Sequence, residues 1–170
     1  MDNNIKQNTV GSKNNTFNHV PGVFDLVNGT IPGLKGLPLF DPKSASLDGV
    51  IIAVDFDGTC VTHEYPNIGD DIGAQEVLKE FCECGAKLIL WTMRHGEHLD
   101  DAQEWFESNE IPLHGVNQNP NQHWSSSPKA YAHIYIDDAA LGAPLVHFTD
   151  GQRPHIDWTK VRELIFKNII

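Results

Sequence analysis

The pentapeptide at 55–59 carries two carboxylates, Asp55 and Asp57, directly after the apolar run at 50–54. An uninterrupted apolar run of this length is typical of a buried parallel strand. Both carboxylates can reach the same side of the turn that follows, and Gly58 lets that turn bend tightly. A concentration of negative charge is costly unless a divalent cation neutralises it. The spacing therefore predicts a cation site at the carboxyl edge of a sheet, where open α/β folds bind ligands.

Other residue types that can handle a phosphate stand where later strands are predicted to end. The strand at 87–91 is followed by Thr92, and the strand at 133–136 is followed by Asp137. Because parallel strands of one sheet end at the same edge, these side chains should gather beside Asp55. Carboxylates with a hard cation, together with a hydroxyl and a positive side chain, make a site for phosphate. The complete set at this edge is Asp55, Asp57, Thr92, Arg94, Lys129, Asp137 and Asp138.

Strands alternate with amphipathic helices from residue 50 onward. These elements position the seven side chains at the edge of the sheet. Strands are predicted at 50–55, 87–91, 113–116, 133–136 and 145–148, with the clearest apolar runs at 50–54 and 88–91. Apolar residues spaced by three and four predict helices at 72–84, at 98–109 and from about 158 onward. The pattern predicts an α/β fold, a three-layer sandwich with a central parallel sheet.

Capping residues mark the predicted helix ends. Asp70 or Asp71 is expected to cap the first helix, and Asp157 is expected to cap the last. Gly85 lies just beyond the end of the first helix. Ser127 and Pro128 suit the start of a short helical turn. The last helix is expected to turn Val161, Leu164 and Ile165 inward.

Three segments of the chain differ in composition. Residues 1–20 are rich in Asn and weakly apolar, which predicts a mobile tail. Residues 21–49 interleave Pro and Gly with apolar anchors, which predicts a turn-rich strap packed on the domain or on a partner. Residues 50–170 are expected to form one catalytic domain, long enough to bury a core.

The net charge of −11 lies entirely in residues 50–170, because residues 1–49 hold four acidic and four basic residues. An acidic domain matches a nucleic-acid backbone poorly, so nucleic acid is not an expected partner. The three cysteines, at 60, 82 and 84, indicate reduced thiols rather than a disulfide framework. No apolar run approaches the ~20 residues of a membrane span. A cytoplasmic protein without membrane contact is therefore expected.

The four groups of residues, taken in order, resemble the four motifs of the haloacid dehalogenase (HAD) superfamily of phosphohydrolases. The pentapeptide at 55–59 matches the first motif, Thr92 the second and Lys129 the third. Asp137 and Asp138 match the fourth. The resemblance covers about residues 50–148 and implies a HAD-like fold of Rossmann type.

The resemblance implies a hydrolase that forms an aspartyl-phosphate. Asp55 would attack phosphorus, and Asp57 would protonate the leaving oxygen and later accept a proton from water. The cofactor would be Mg²⁺, held by the Asp55 carboxylate, the backbone carbonyl of Asp57 and the Asp137 carboxylate. An acid at position 57 favours phosphatase over dehalogenase chemistry.

Further residues receive supporting roles from the same resemblance. Thr92 would hydrogen-bond a phosphoryl oxygen, and Lys129 would neutralise the phosphoryl group. Asp138 would position Lys129. Gly58 and Thr59 complete the first motif as supporting residues.

The segments after the first motif and after the third strand are too short to hold a cap domain, so a capless member is expected. Capless members act on large substrates that close the site, or borrow a lid from another subunit, so a homo-oligomer could supply one. The remaining loops would select the substrate through Arg94, Asn117 and His63. Amides beside an aromatic residue suit a polar small-molecule phosphoester.

Three other functions stay open on the sequence. A non-catalytic phospho-binding or regulatory domain could keep the shape of the site, although it would not need both Asp55 and Asp57. A nucleic-acid end-processing phosphatase fits a capless site but not an acidic domain. A phosphoacceptor receiver domain would need its acceptor Asp after the third strand, where Val116 and Asn117 stand.

Overall fold

A four-stranded parallel sheet forms the centre of residues 45–169, which are those that the computed structural model describes. Its strands are β1 (Ile51–Val54), β2 (Lys87–Leu90), β3 (Leu113–Val116) and β4 (Ile134–Ile136). They are arranged in the order β3-β2-β1-β4. The prediction of an α/β fold with a central parallel sheet is therefore confirmed.

The apolar runs form strands because both faces of the sheet are covered. Side chains alternate between the faces. Ile52 and Val54 of β1 belong to the main hydrophobic core, and Ala53 is buried on the opposite side. In β2, Ile89 is buried in the same way. Burial on both faces explains why these strands show continuous rather than alternating hydrophobicity.

Helix α1 (Ala74–Glu83) follows β1 and starts at a cap supplied by Asp71. The Asp71 carboxylate accepts hydrogen bonds from the backbone N–H of Gly73 at 2.9 Å and of Gln75 at 3.2 Å. These bonds satisfy N–H groups that have no partner inside the helix. Gly85 lies beyond the end with a φ of 100°, as predicted for a helix stop.

Helices α2 (Glu97–Ser108) and α3 (Trp158–Ile169) complete the helical part. Asp157 caps α3, because its Oδ1 accepts a hydrogen bond from the N–H of Lys160 at 3.1 Å. Helix α3 packs against α1, and the rings of Phe81 and Phe166 lie 5.6 Å apart. The prediction that Leu164 faces inward is wrong, because the residue is 49% exposed.

The described helices share one face of the sheet. The crossovers from β1 to β2 and from β2 to β3 run in the same direction, so right-handed connections place α1 and α2 on the same side. Phe81 of α1, Phe106 of α2 and Ile165 of α3 lie in one core cluster. Residues 45–169 thus supply no helical layer to the other face, and the three-layer arrangement stays a prediction.

Two local predictions differ from the structure. The run at 145–148 does not extend the main sheet: β5 (Leu145–Val146) pairs antiparallel with β6 (His155–Ile156). The prediction of a helical turn starting at Ser127 is also wrong. The Ser127 hydroxyl accepts a hydrogen bond from the N–H of Lys129 at 3.2 Å, which closes a local bend instead.

The predicted tail at 1–20 and most of the strap at 21–49 lie outside the described residues. In the described end of the strap, Leu47 is fully buried. Its backbone N–H bonds the carbonyl of Cys84 at 2.6 Å. Among residues 45–169, no helix is both long and apolar enough to cross a bilayer.

Candidate active site

Three carboxylates meet where β1 and β4 end. Oxygens of Asp55, Asp137 and Asp138, here called the acidic cluster, all lie within 4.8 Å of one another. The two strands are neighbours, and the N–H of Asp55 bonds the carbonyl of Ile136 at 2.9 Å. The parallel pairing therefore brings together side chains more than 80 residues apart in sequence, as the motif spacing predicts.

The acidic cluster is electrostatically unfavourable by itself. Burial, with smaller contributions from the charges of Asp137 and Asp138, raises the pKa of Asp55 from 3.8 to about 7. Hydrogen bonds from the backbone at Phe56 and from the Thr59 hydroxyl act in the opposite direction. A cation among the three carboxylates would remove this penalty, and hard oxygen ligands are those that Mg²⁺ prefers. The donor set therefore fits Mg²⁺.

Thr59 connects the two loops that carry the cluster. Its buried hydroxyl donates to Asp55 Oδ2 at 3.1 Å and accepts from the backbone N–H of Asp138 at 3.1 Å. Its carbonyl accepts a hydrogen bond from Trp158 Nε1 at 2.7 Å. The sequence predicted only a supporting role here, because nothing in the pentapeptide shows that one hydroxyl reaches both loops.

The turn after Asp55 depends on glycine. Gly58 has a φ of 79°, and its N–H bonds the carbonyl of Val61 at 2.7 Å. A Cβ at this position would lie 2.0 Å from His63 Nε2. The missing side chain thus lets His63 lie against the turn.

His63 rather than Lys129 lies beside Asp138, which corrects the predicted pairing. His63 Nε2 is 3.1 Å from Asp138 Oδ2, but the two atoms are not aligned as a hydrogen bond. The His63 side chain is only 12% exposed. Instead of standing on an open substrate loop, as predicted, His63 is packed at the rim of the acidic cluster.

Lys129 is not among the residues that meet the cluster in this structure. It is exposed, and its Nζ lies 5.2 Å from the centre of the Tyr135 ring. The backbone of Lys129 is held by its hydrogen bond to the Ser127 hydroxyl, and its ammonium is held by the cation–π contact with Tyr135. The predicted contact between Lys129 and the cluster is therefore not observed.

Asp57 turns its carboxylate away from the cluster and toward Arg94. Arg94 Nε donates to Asp57 Oδ2 at 2.8 Å, and Nη2 donates to Asp57 Oδ1 at 2.7 Å. The Arg94 side chain is 1% exposed and the Asp57 side chain 21%. This is a nearly buried, two-point ion pair.

Arg94 is surrounded by protein groups, and its binding of substrate stays a prediction. Besides Asp57, its guanidinium donates to the carbonyls of Pro66 at 3.0 Å and Asn67 at 2.7 Å. It also lies over the rings of Phe56 and Tyr65, at 5.0 and 5.3 Å. All three guanidinium nitrogens are occupied by protein groups, so little remains for a ligand. The sequence carries no signal for these carbonyl partners.

A hydrogen bond between Thr92 and Asn117 connects the loops that follow β2 and β3. The N–H of Thr92 donates to Asn117 Oδ1 at 2.8 Å, and Thr92 Oγ1 accepts from the N–H of Arg94 at 3.2 Å. Asn117 adopts a left-handed conformation with a φ of 50°. Its side-chain oxygen is thus used within the protein, which differs from the predicted substrate contact.

Comparison with known proteins finds a relative among the solved structures. No protein-family model matches the sequence, and no curated protein matches it. A conserved protein encoded by a locus of Bacteroides thetaiotaomicron, known from its solved structure, is 38% identical with a TM-score of 0.56. The match covers 70% of this chain and 95% of the other. The chain therefore belongs to the same family as this conserved Bacteroides thetaiotaomicron protein.

Proposed function

We propose that the protein is a capless, Mg²⁺-dependent phosphatase of the HAD superfamily that acts on a polar small-molecule phosphomonoester. The observation that carries the proposal is the acidic cluster, in which Asp55 stands beside Asp137 and Asp138. Asp55 has a pKa raised to about 7, mainly by burial, so a bound cation would favour its ionised form. Mg²⁺ held by Asp55, Asp137 and the Asp57 carbonyl would supply positive charge opposite the phosphoryl oxygens.

In the first step, an Asp55 oxygen forms a bond to phosphorus while the bond from phosphorus to the leaving oxygen breaks. The hydrogen bond from Thr59 to Asp55 Oδ2 orients the nucleophile and leaves Oδ1 without this restraint. Asp57, when protonated, gives its proton to the leaving oxygen. Thr92 donates its hydroxyl hydrogen to a phosphoryl oxygen, since that hydroxyl otherwise only accepts from Arg94.

In the second step, a water oxygen bonds to phosphorus and the bond to Asp55 breaks. The water proton passes to the Asp57 carboxylate, which restores the acid for the next cycle. Lys129 neutralises the phosphoryl group, and its ammonium, which lies 5.2 Å from the centre of the Tyr135 ring, moves toward the acidic cluster to do so. The exposed, flexible side chain of Lys129 permits this movement.

Phosphate release from an aryl phosphate and from a panel of polar phosphometabolites, with and without Mg²⁺, tests the proposal. Asp55→Asn and Asp57→Asn should both lose turnover, whereas Asp100→Asn, an exposed aspartate on α2, should keep it. Without added Mg²⁺, the wild type should release no phosphate from any of these substrates. Turnover in Asp55→Asn at the wild-type rate would refute the aspartyl-phosphate mechanism.

A non-catalytic phospho-binding domain is the second candidate. It is favoured by the contact of Lys129 with the Tyr135 ring in place of an ion pair with the acidic cluster, and by the ion pair of Asp57 with Arg94. Normal Mg²⁺ binding by calorimetry, with no release from any substrate, would select this function. Release from oligonucleotide ends alone would select nucleic-acid end processing instead.

A further inference from the structure

We propose that Arg94 is a positioning residue, which holds the Asp57 carboxylate as the base for hydrolysis of the aspartyl-phosphate. This inference rests on the proposed phosphatase function. It starts from the two hydrogen bonds from Arg94 to Asp57, at 2.7 and 2.8 Å. Together they fix the plane of the carboxylate, which one bond from a lysine could not do.

The geometry leaves Asp57 able to accept a proton. A carboxylate offers about four lone-pair positions, of which Arg94 occupies one on each oxygen. The Asp57 side chain keeps 21% of its surface exposed while Arg94 keeps 1%. The open side of the carboxylate therefore faces water, and the arginine supports it from the buried side.

Arg94 is itself held on several sides, so that Asp57 has a rigid support. The carbonyls of Pro66 and Asn67 accept from its terminal nitrogens, and the rings of Phe56 and Tyr65 lie against its guanidinium. Phe56 stands between the two catalytic aspartates in sequence. One part of the support, the Phe56 ring, therefore belongs to the turn that carries the nucleophile, and the other parts lie in the loop at 65–67.

A purely structural role for Arg94 makes a different prediction. If the residue only anchors the loop at 65–67, its loss lowers the fraction of properly folded enzyme. The apparent kcat and kcat/KM then fall by the same factor, while KM stays unchanged. If Arg94 positions the base of the second step, only the steps after phosphoenzyme formation become slow.

An aryl phosphate separates these outcomes. Its leaving group departs without a proton, so the first step needs little from Asp57. The ratio kcat/KM reports steps up to phosphoenzyme formation, while kcat also includes hydrolysis. Loss of the base should therefore lower kcat and KM together and leave kcat/KM nearly unchanged.

The experiment compares the wild type with Arg94→Lys and Arg94→Met, using p-nitrophenyl phosphate with Mg²⁺. Since general-base catalysis contributes ~10²–10⁴-fold, partial loss of orientation should lower kcat by about 10- to 100-fold. On rapid mixing, the Arg94 variants should release a burst of one nitrophenol per enzyme molecule. Mass spectrometry after acid quenching should show that these variants accumulate as phosphorylated protein. Arg162→Lys is the matched control, because Arg162 makes a similar two-point pair with Glu80 between α3 and α1.

Three results would overturn the inference while leaving the phosphatase function intact. The first is an equal fall of kcat and kcat/KM without accumulated phosphoenzyme. The second is the same kinetic split in Arg162→Lys. The third is failure of both Arg94 variants to fold, judged by tryptophan fluorescence, which would assign Arg94 to structure alone. A wild type that lacks Mg²⁺-dependent turnover would instead refute the function and the inference together.

Discussion

Replacing Asp55 by Asn should stabilise the folded protein in the absence of divalent cations, and the gain should grow with pH. The folded state raises the pKa of Asp55 from 3.8 to about 7, mainly through burial. Protons therefore bind the folded state more tightly than the unfolded state. The stability from the protonated carboxyl is complete below about pH 4 and is lost as the pH rises through about 7.

The size of this effect follows from the shift. One pKa unit corresponds to about 1.4 kcal/mol, so a rise from 3.8 to about 7 costs the ionised folded state about 4 kcal/mol. Asn cannot ionise, and its side-chain oxygen can still accept the hydrogen bond from Thr59. The variant should therefore gain up to about 4 kcal/mol at about pH 8 and almost nothing at about pH 4.

Urea unfolding in a chelating buffer, followed by tryptophan fluorescence at several pH values, measures this difference directly. Asp57→Asn is the matched control, because the same substitution two residues away removes the charge partner of the buried Arg94. Breaking such a pair costs ~3 kcal/mol or more, so this variant should be destabilised where Asp55→Asn is stabilised.

The reasoning would be refuted by an Asp55→Asn variant whose stability relative to the wild type stays constant from about pH 4 to pH 8. It would also be refuted if Mg²⁺ stabilised both proteins equally. A cation bound by the acidic cluster should stabilise the wild type more than the variant, because the variant has one carboxylate fewer.

Three further changes test the surroundings of the site. Thr59→Val removes the hydroxyl that holds Asp55, and should lower the free energy of unfolding by ~1–3 kcal/mol, whereas Thr59→Ser should lower it by roughly half as much or less. Gly58→Ala forces a Cβ against His63 at a positive φ, and should lower the free energy of unfolding by ~1–3 kcal/mol in the same assay. The Cys60 thiol is fully buried and its pKa is raised by burial, so a thiol reagent should modify it only after unfolding.

Each of these predictions has a clear contrary result. A Thr59→Val protein as stable as the wild type would show that the hydroxyl bridge contributes nothing. A Gly58→Ala protein of unchanged stability would show that His63 can move aside freely. Modification of Cys60 in the native protein at the rate of a free thiol would contradict its burial, with native Cys84, which is partly exposed, as the internal comparison.

The strands and the meeting of their ends could be predicted from the sequence because these features depend on patterns within short segments. The apolar run at 50–54, for example, contains strand β1 at Ile51–Val54. The acidic cluster was predictable for a related reason: parallel pairing brings the ends of β1 and β4 to one edge, whatever the intervening loops do. Fold class and acidic cluster thus follow from local hydrophobicity and chain direction.

The partners of long side chains were decided only by the tertiary structure. Arg94 was expected to face a substrate but binds Asp57, 37 residues away in sequence. Lys129 was expected at the cluster but lies over Tyr135. A flexible cationic side chain can reach several anionic or aromatic groups, and the choice depends on differences in burial that no sequence spacing encodes. The sequence thus determined which chemical groups reach this edge of the sheet, and three-dimensional packing determined which of them pair with one another.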